Sequence, residues 1–291
     1  YVAGVLWALR QMGHRVPGVD VVVGDTVPIG AGLSSSAALE CAVAVAVDEL
    51  AGLGLSGTDS GRYALATACR RAENDVVGAQ TGGMDQVAAL FGTAGHALLF
   101  DARDHTTRPV PLPLAEEGLQ VLVIDTRVRH ALADGQYAAR RADVERAAHE
   151  LGLASLREAS PADLDRLEPR LRRRARHVVT EIARVRDVVE LLEAGRCRDI
   201  GPLLDASHTS LAEGFEVSCP ELDLAVTTAR RAGALGARMT GGGFGGSAIA
   251  LVPVELRDSV TAAVETAFRD AGWRTPRVFV AEPSSGAGRV G

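Results

Sequence analysis

The hydrophobic pattern divides the chain into elements of two periods. Val5, Leu6 and Leu9 recur at helical spacing and predict an opening helix. Val19–Val23 is valine-rich and bounded by Pro17-Gly18 and Gly24-Asp25, which predicts a strand. A glycine-rich turn follows. Ser34-Ser35-Ser36 then opens a helix through Ala37–Leu50, because serine is a preferred cap and alanine propagates well. That helix is apolar nearly all round, so it is expected to be buried. A second helix is predicted over Ser60–Asp75, a loop over Gly78–Gly83, and a further helix from Met84 to Leu90. His96–Phe100 and Leu119–Asp125 read as strands, and Asp134–Leu151 as a helix with a mixed polar face. His177–Ala194 is the clearest amphipathic helix, with Val178, Ile182, Val185, Val189 and Leu192 on one stripe and Gly195 to cap it. Cys219–Ala232 is helical from near Pro220. Strands Ala237–Thr240 and Ser247–Val252 flank the glycines of Gly241–Gly246, and helix Leu256–Ala271, strand Arg277–Ala281 and a short tail from Ser284 complete the chain.

Helices and strands alternate without a regular βαβ period, so the pattern predicts an α+β fold in two lobes. The proline-rich stretch Pro109–Pro113 places the boundary near residue 115, giving lobes of 1–115 and 116–291. A length of 291 residues with 47% apolar and 23% charged residues suits one large or two medium soluble domains. The net charge of −6 argues against a nucleic-acid partner, which calls for a clustered positive surface. One basic run, Arg170–Arg176, falls in a helical stretch and is expected to be a solvated face. Cys41, Cys69, Cys197 and Cys219 show no zinc or disulfide spacing and read as free thiols of a reducing compartment. Ala42–Val47 is too short to span a bilayer and reads as buried helix. No signal peptide is evident, so a cytoplasmic protein without a membrane partner is expected.

One absence changes the chemistry. The sequence contains no lysine. A Walker-A phosphate loop and a Schiff-base nucleophile both need one, so phosphate chemistry here must use backbone N–H groups, metal and arginine. Three glycine segments are candidates. Gly30–Ser36 either caps a helix or cradles phosphate at its N-terminus, and three serines exceed what capping needs. Gly82-Gly83-Met84-Asp85-Gln86 places an aspartate that either suits the helix dipole or acts as a general base. Thr240–Gly246 holds five glycines around Phe244, which implies that something approaches the backbone there, or else a flexible loop.

Taken together these segments resemble the GHMP small-molecule kinase superfamily in its galactokinase form. Pro28–Glu40 is similar to the family's phosphate-binding motif, Gly82–Gln86 to its Gly-x-Met-Asp-Gln segment, and Met239–Gly246 to its third motif. Arg127–Tyr137, followed by Arg140-Arg141, resembles a galactokinase-specific segment. The four motifs stand in the family's order and the resemblance runs the length of the chain. It implies a two-lobed fold, with an N-terminal lobe like the second domain of ribosomal protein S5 and a ferredoxin-like C-terminal lobe.

The resemblance also implies roles. Gly30, Ala31, Gly32, Leu33, Ser34, Ser35 and Ser36 would wrap the phosphates of ATP, with Gly242 and Gly243 on the nucleotide as well. Ser36 and Glu73 would bind Mg²⁺, a hard cation that takes oxygen ligands. Asp85 would be the catalytic base toward the C1 hydroxyl of galactose, and Gly82 and Tyr137 would contact the sugar. Alternatives implied by the same resemblance are a kinase for arabinose or N-acetylgalactosamine, or a galactokinase-like sensor without catalysis. The expected assembly is a monomer or weak homo-oligomer.

Galactokinases also carry a first motif, Gly-Arg-Val-Asn-Leu-Ile-Gly-Glu-His-Thr-Asp-Tyr, that supplies a transition-state arginine and sugar-reading side chains. No such run occurs in this sequence, which opens at Tyr1 inside a helix, as a fragment or a misassigned start does. On that ground the N-terminal lobe is expected to be incomplete. The chain is expected to show little or no galactokinase activity, since a positive group on the transferring phosphoryl is worth on the order of 10³–10⁵ in rate.

Overall fold

A computed structural model describes residues 1–28, 30–79, 81–128 and 135–290. Ile29 of the phosphate-loop motif and Arg129–Asp134 of the galactokinase-like segment lie outside the described residues. The chain forms two compact units. One comprises Tyr1–Ile29, Ser34–Leu112 and Glu282–Gly291, and the other comprises Gly30–Leu33 and Pro113–Ala281.

The first unit is built on helices. Helix α1 (Val2–Gln11) buries Val5, Ala8 and Leu9. Helix α2 (Ser35–Ala51) buries Cys41, Val43, Ala44, Val45 and Val47 as its all-round apolar pattern predicts, and it buries Glu40 and Asp48 with them. Helix α3 (Asp59–Arg71) is capped by Thr58, whose Oγ1 accepts from the Gly61 N–H at 3.1 Å. It then widens into a π-helical turn over Ala72–Val77, where regular helix was expected as far as Asp75. Helix α4 (Met84–Phe91) follows, and these helices share one core with Leu65, Ala68, Cys69, Val87 and Leu90 at its centre.

A two-stranded antiparallel hairpin, β1 (His96–Asp101) and β2 (Thr106–Pro111), completes the unit. Strand β2 was hidden by its prolines. Pro109 and Pro111 lack an N–H, which a strand paired on one side alone tolerates. The tail returns here: the Gly286 N–H donates to Gly92 O at 2.8 Å and the Ala287 N–H to Ala89 O at 2.7 Å. Arg62 reaches Leu90 O at 2.6 Å and Ala287 O at 3.4 Å from its Nη1. The strand expected at Val19–Val23 is irregular and exposed, with Val22 at 100%. The sheets of the described residues place no strand beside it, so its backbone has no ladder to join.

The second unit is built on a four-stranded antiparallel sheet of order β4-β5-β3-β6. Its strands are β3 (Leu119–Asp125), β4 (Gly236–Met239), β5 (Ser247–Pro253) and β6 (Arg277–Ala281). Strand β3 is paired on both sides, with Leu122 opposite Ala250 of β5 and Val280 of β6. Nearly all of it is buried, which is why it reads as a continuous apolar run. Helices α8 (Pro220–Arg231) and α9 (Arg257–Asp270) close one core over the sheet, through Leu222, Val226, Val260, Val264 and Phe268.

A second core joins helix α5 (Gln136–Leu151) to helix α6 (Pro169–Glu193). Helix α6 starts eight residues before the amphipathic stripe that predicted it, at a proline suited to a first turn. Burial along it follows the stripe only in part: Leu192 is buried and Val178 packs on a core, but Val185 is exposed, and Arg174 and His177 of the basic half are buried. The solvated-face reading of Arg170–Arg176 therefore fails at Arg174. Its guanidinium lies 3.7 Å from Asp143 Oδ2, donates to Gly214 O at 2.6 Å and reaches Glu216 Oε2 at 2.5 Å. Helix α7 (Gly201–Thr209) and a π-helical turn over Ser210–Phe215 lead to that Glu216. No described helix is long and apolar enough to cross a membrane.

Candidate functional site

In the first unit, the N-terminus of α2 meets two carboxylates. Ser34 occupies the capping position in a left-handed conformation (φ 55°), and its side chain makes no capping bond. Its Oγ donates instead to Asp85 Oδ2 at 2.5 Å. The first intrahelical bond runs from the Ala38 N–H to Ser34 O at 3.0 Å, so the earlier N–H groups of α2 lack an intrahelical partner. An end left this way is a ready anion site, with the helix dipole adding to it. The three serines are thus not a redundant cap.

Two residues further on, Ser36 Oγ donates to Glu73 Oε1 at 2.8 Å. The widened turn after α3 carries Glu73 inward, where it is buried. Its other oxygen, Oε2, accepts from Thr81 Oγ1 at 2.9 Å and from Gln86 Nε2 at 2.7 Å. Asn74 fixes the loop that brings Thr81 there, accepting the Thr81 N–H at 2.9 Å. Gln86 Nε2 also reaches Glu40 Oε2 at 3.2 Å. Burial, with the nearby Glu73 carboxylate adding to it and the Gln86 amide opposing it, pushes the Glu40 carboxyl up to about 7. Glu40 Oε1 and Gln86 Oε1 are buried without a hydrogen-bond partner.

The arrangement suits Mg²⁺. Bonds of about 2.0–2.1 Å in an octahedron set neighbouring ligand oxygens about 2.9 Å apart, close to the Ser36–Glu73 separation. Among the described residues no group of three or more His, Cys, Asp or Glu side chains could hold a metal. A cation held here would complete its shell with water and substrate oxygens, as Mg²⁺ commonly does.

The two glycines before α4 differ. Gly83 has φ 86°, a conformation that calls for glycine, and a Cβ there would meet only the movable Arg70 side chain, its Cδ at 2.9 Å. Nothing lies within 4 Å of a Cβ added to Gly82. Packing within the fold does not explain that glycine.

In the second unit the structure brings together Gly30–Leu33 and Thr240–Gly246, more than 200 residues apart in the chain. Ser247 Oγ donates to Ala31 O at 2.6 Å, and a Cβ on Gly241 would meet Gly32 O at 3.2 Å. Much of what approaches the glycine loop is the protein's own backbone. A Cβ on Gly243, at φ 86°, would lie 2.2 Å from Val217 O, and that carbonyl accepts the Phe244 N–H at 2.6 Å. Gly242 is exposed, and its nearest neighbour is the ring of the half-exposed Tyr137, 3.8 Å from where a Cβ would sit. The sequence-predicted Tyr137 and Gly242 therefore adjoin one another.

Sequence reasoning missed Glu40, Thr81 and Gln86 as parts of this cluster. A signal for Glu40 existed, since it is the one charged residue in the otherwise apolar run Ala37–Val47 of α2. Thr81 carries no pattern that separates it from an ordinary loop residue, and the motif that holds Gln86 does not show that its side chain faces Glu40 and Glu73.

Known proteins bear out this assembly of motifs. The profile of the GHMP kinases N terminal domain matches residues 1–93, and that of the GHMP kinases C terminal domain matches residues 188–270. Over 296 residues the chain is 54% identical to a galactokinase of Streptomyces coelicolor, covering 100% of this chain and 75% of that protein. It is 46% identical over 291 residues to a galactokinase of Mycobacterium tuberculosis, covering 99% and 79%. A crystal structure of Lactococcus lactis galactokinase complexed with galactose superposes with a TM-score of 0.88 at 32% identity, covering 100% of this chain and 76% of that one. A mevalonate kinase from L. major shares the fold alone, at a TM-score of 0.62 and 21% identity. With a GHMP kinase fold, both family domains and relatives of this identity along its whole length, the chain belongs to the galactokinases of the GHMP kinase family.

Proposed function

We propose, against the low activity expected from the absent first motif, that the chain transfers the γ-phosphoryl group of ATP to the C1 hydroxyl of galactose, with Mg²⁺ as cofactor. The observation that carries this reading is the pair of bonds from the start of α2, Ser34 Oγ to Asp85 at 2.5 Å and Ser36 Oγ to Glu73 at 2.8 Å. They set an uncapped helix N-terminus, a cation-sized oxygen pair and a second carboxylate within one short stretch of structure. The named relatives and the galactose-bound neighbour support the choice of sugar.

In this reading the free N–H groups of Ser35 and Ser36 receive phosphate oxygens, together with the backbone of Gly30, Ala31, Gly32 and Leu33. Gly242 and Gly243 lie along the nucleotide. Mg²⁺, held by Ser36 and Glu73, supplies neutralisation of phosphate charge. Asp85 accepts the proton of the C1 hydroxyl as that oxygen bonds to the γ-phosphorus and the bond to the ADP oxygen breaks. The Ser34 hydroxyl engages Asp85 Oδ2, and Oδ1 receives the proton. Gly82, with no Cβ, lets the sugar approach α4, and Tyr137 offers a half-exposed ring to it. The buried free thiols Cys41, Cys69 and Cys197 suit a reducing cytoplasm, which is part of the proposal.

The test is galactose-dependent release of ADP by the chain and by Asp85→Asn. The variant is expected to lose about 10²–10⁴ in kcat while its affinity for Mg²⁺–ATP stays within about two-fold. A variant that keeps the parent rate removes Asp85 from the role of base.

A further inference from the structure

The buried polar cluster behind Glu73 is larger than cation binding needs. Glu40 is fully buried on α2, and its hydrogen-bonding partner is the neutral amide of Gln86. Burying a carboxylate costs several kcal/mol of lost hydration unless it is well paired, and an apolar residue would fit the α2 pattern better. Gln86, also fully buried, spends both hydrogens of one amide nitrogen on two carboxylates, Glu73 at 2.7 Å and Glu40 at 3.2 Å. The two remaining oxygens, Glu40 Oε1 and Gln86 Oε1, have no donor. Two buried acceptors without a donor from the protein call for an explanation.

An amide set between two carboxylates has one acceptable orientation. Turning it by 180° would aim its oxygen at both acceptors, so each carboxylate forbids the flip. If residue 40 were apolar, only the Glu73 bond would resist that turn. With the amide fixed, Glu73 Oε2 is held inward by Gln86 and by Thr81, and Oε1 is left to face Ser36. We infer that Glu40 and Gln86 are positioning residues for cation binding, Glu40 acting by locking the Gln86 amide and Gln86 by presenting Glu73 Oε1 toward Ser36. This rests on the reading of Ser36 and Glu73 as the cation's ligands. Carboxylates and amides that orient a metal ligand in this way typically carry 10–100-fold of metal affinity.

The experiment compares ATP affinity with Mg²⁺ and with EDTA, by calorimetry, in the chain and in Glu40→Met and Gln86→Met, with melting temperature measured alongside. Glu40→Met keeps about the volume, removes the buried carboxylate and leaves only the Glu73 bond to hold the Gln86 amide. Its melting temperature is expected to hold or rise while its Mg²⁺ enhancement of ATP affinity falls about ten-fold. A purely structural residue would move both together or neither. Gln86→Met removes both donors and is expected to lose at least as much of the enhancement. Its affinity for ATP in EDTA is expected to be unchanged, which certifies the fold even if the melting temperature drops. If the unaltered chain shows no Mg²⁺ enhancement, the cation reading of Ser36 and Glu73 falls, and the positioning role with it. If the unaltered chain shows the enhancement and Glu40→Met keeps it within two-fold, the positioning role alone is overturned.

Discussion

The buried charges of the two units are handled in opposite ways. Around Glu40 and Glu73 in the first unit, every hydrogen-bond donor is a neutral hydroxyl or amide, and buried acceptors are left over. Around Arg174 in the second, a guanidinium faces Glu216 and Asp143, and a neighbouring arginine, Arg140, takes Phe215 O at 2.8 Å and Glu216 O at 3.2 Å. Two glycines of the candidate segments differ as well: open space lies beyond Gly82, whereas Val217 O occupies the space beyond Gly243. The first unit meets its buried carboxylates with neutral donors, and the second meets its buried guanidinium with carboxylates.

That contrast can be broken most directly at Arg174. Arg174→Met removes the buried partner of Glu216 and Asp143 and is expected to cost about 3 kcal/mol, the low end of the range because Glu216 keeps Arg173 and Arg140 and Asp143 keeps Arg170. Urea denaturation measures it, and the Mg²⁺ enhancement of ATP affinity should not change. A shift in that enhancement would mean that the two clusters are not separate devices.

Next come the glycines. Gly243→Ala forces a Cβ onto Val217 O in a left-handed conformation and is expected to cost more than about 2 kcal/mol. Gly82→Ala meets nothing, so its stability should stay within about 0.5 kcal/mol while KM for galactose rises several-fold. A Gly82→Ala protein with unaltered KM would show that no sugar passes there.

The smallest effect is in the pH dependence. His177, stacked on Phe215 at 4.4 Å with Nδ1 2.9 Å from Ser210 Oγ, is held down to about 4 by burial, with Arg238, Arg184 and Arg174 adding to it. Its folded value lies below the unfolded one, so its contribution is present above about pH 6.5 and is lost as pH falls toward 4. Glu40 has the reverse sign. Raised to about 7, it favours the folded state at low pH and loses that as pH rises from about 4.5 to 7. His177→Gln should flatten the acid side of the stability profile by up to about 1.4 kcal/mol per pH unit. Glu40→Gln should lift the neutral side. Slopes of equal sign would contradict the contrast.

Much of this was legible in the sequence, for reasons that differ by element. Strand β6 and helix α4 stand where pattern and turn signals put them, since both are short, bounded and locally determined. Strand β2 was not, because alternating prolines suppress the strand signal and only the register with β1 restores it. Val19–Val23 shows the converse: a good strand sequence makes no strand without a neighbour. Arg174 is the sharpest case. Among the arginines of Arg170–Arg176 nothing local marks which one turns inward, and that choice depends on Glu216, more than forty residues on. In the site, the serines, Glu73 and Asp85 could be picked out because their motif is recognisable. Gln86 and Glu40 stand in the same motifs, but their pairing could not be read, because it exists only in the space between helices.

The tail at Glu282–Gly291 has a consequence for how the protein is made. Gly286 and Ala287 close hydrogen bonds onto the end of α4, and Arg62 grips Leu90 and Ala287. The first unit therefore cannot finish until Gly286 and Ala287, about 195 residues beyond α4, have emerged. At about 5–20 residues per second, the α4 end waits on the order of ten to forty seconds for its partner. Meanwhile the second unit already contains all its strands. Synthesis order and completion order are therefore reversed, and the helices of the first unit are the part most dependent on a chaperone's patience.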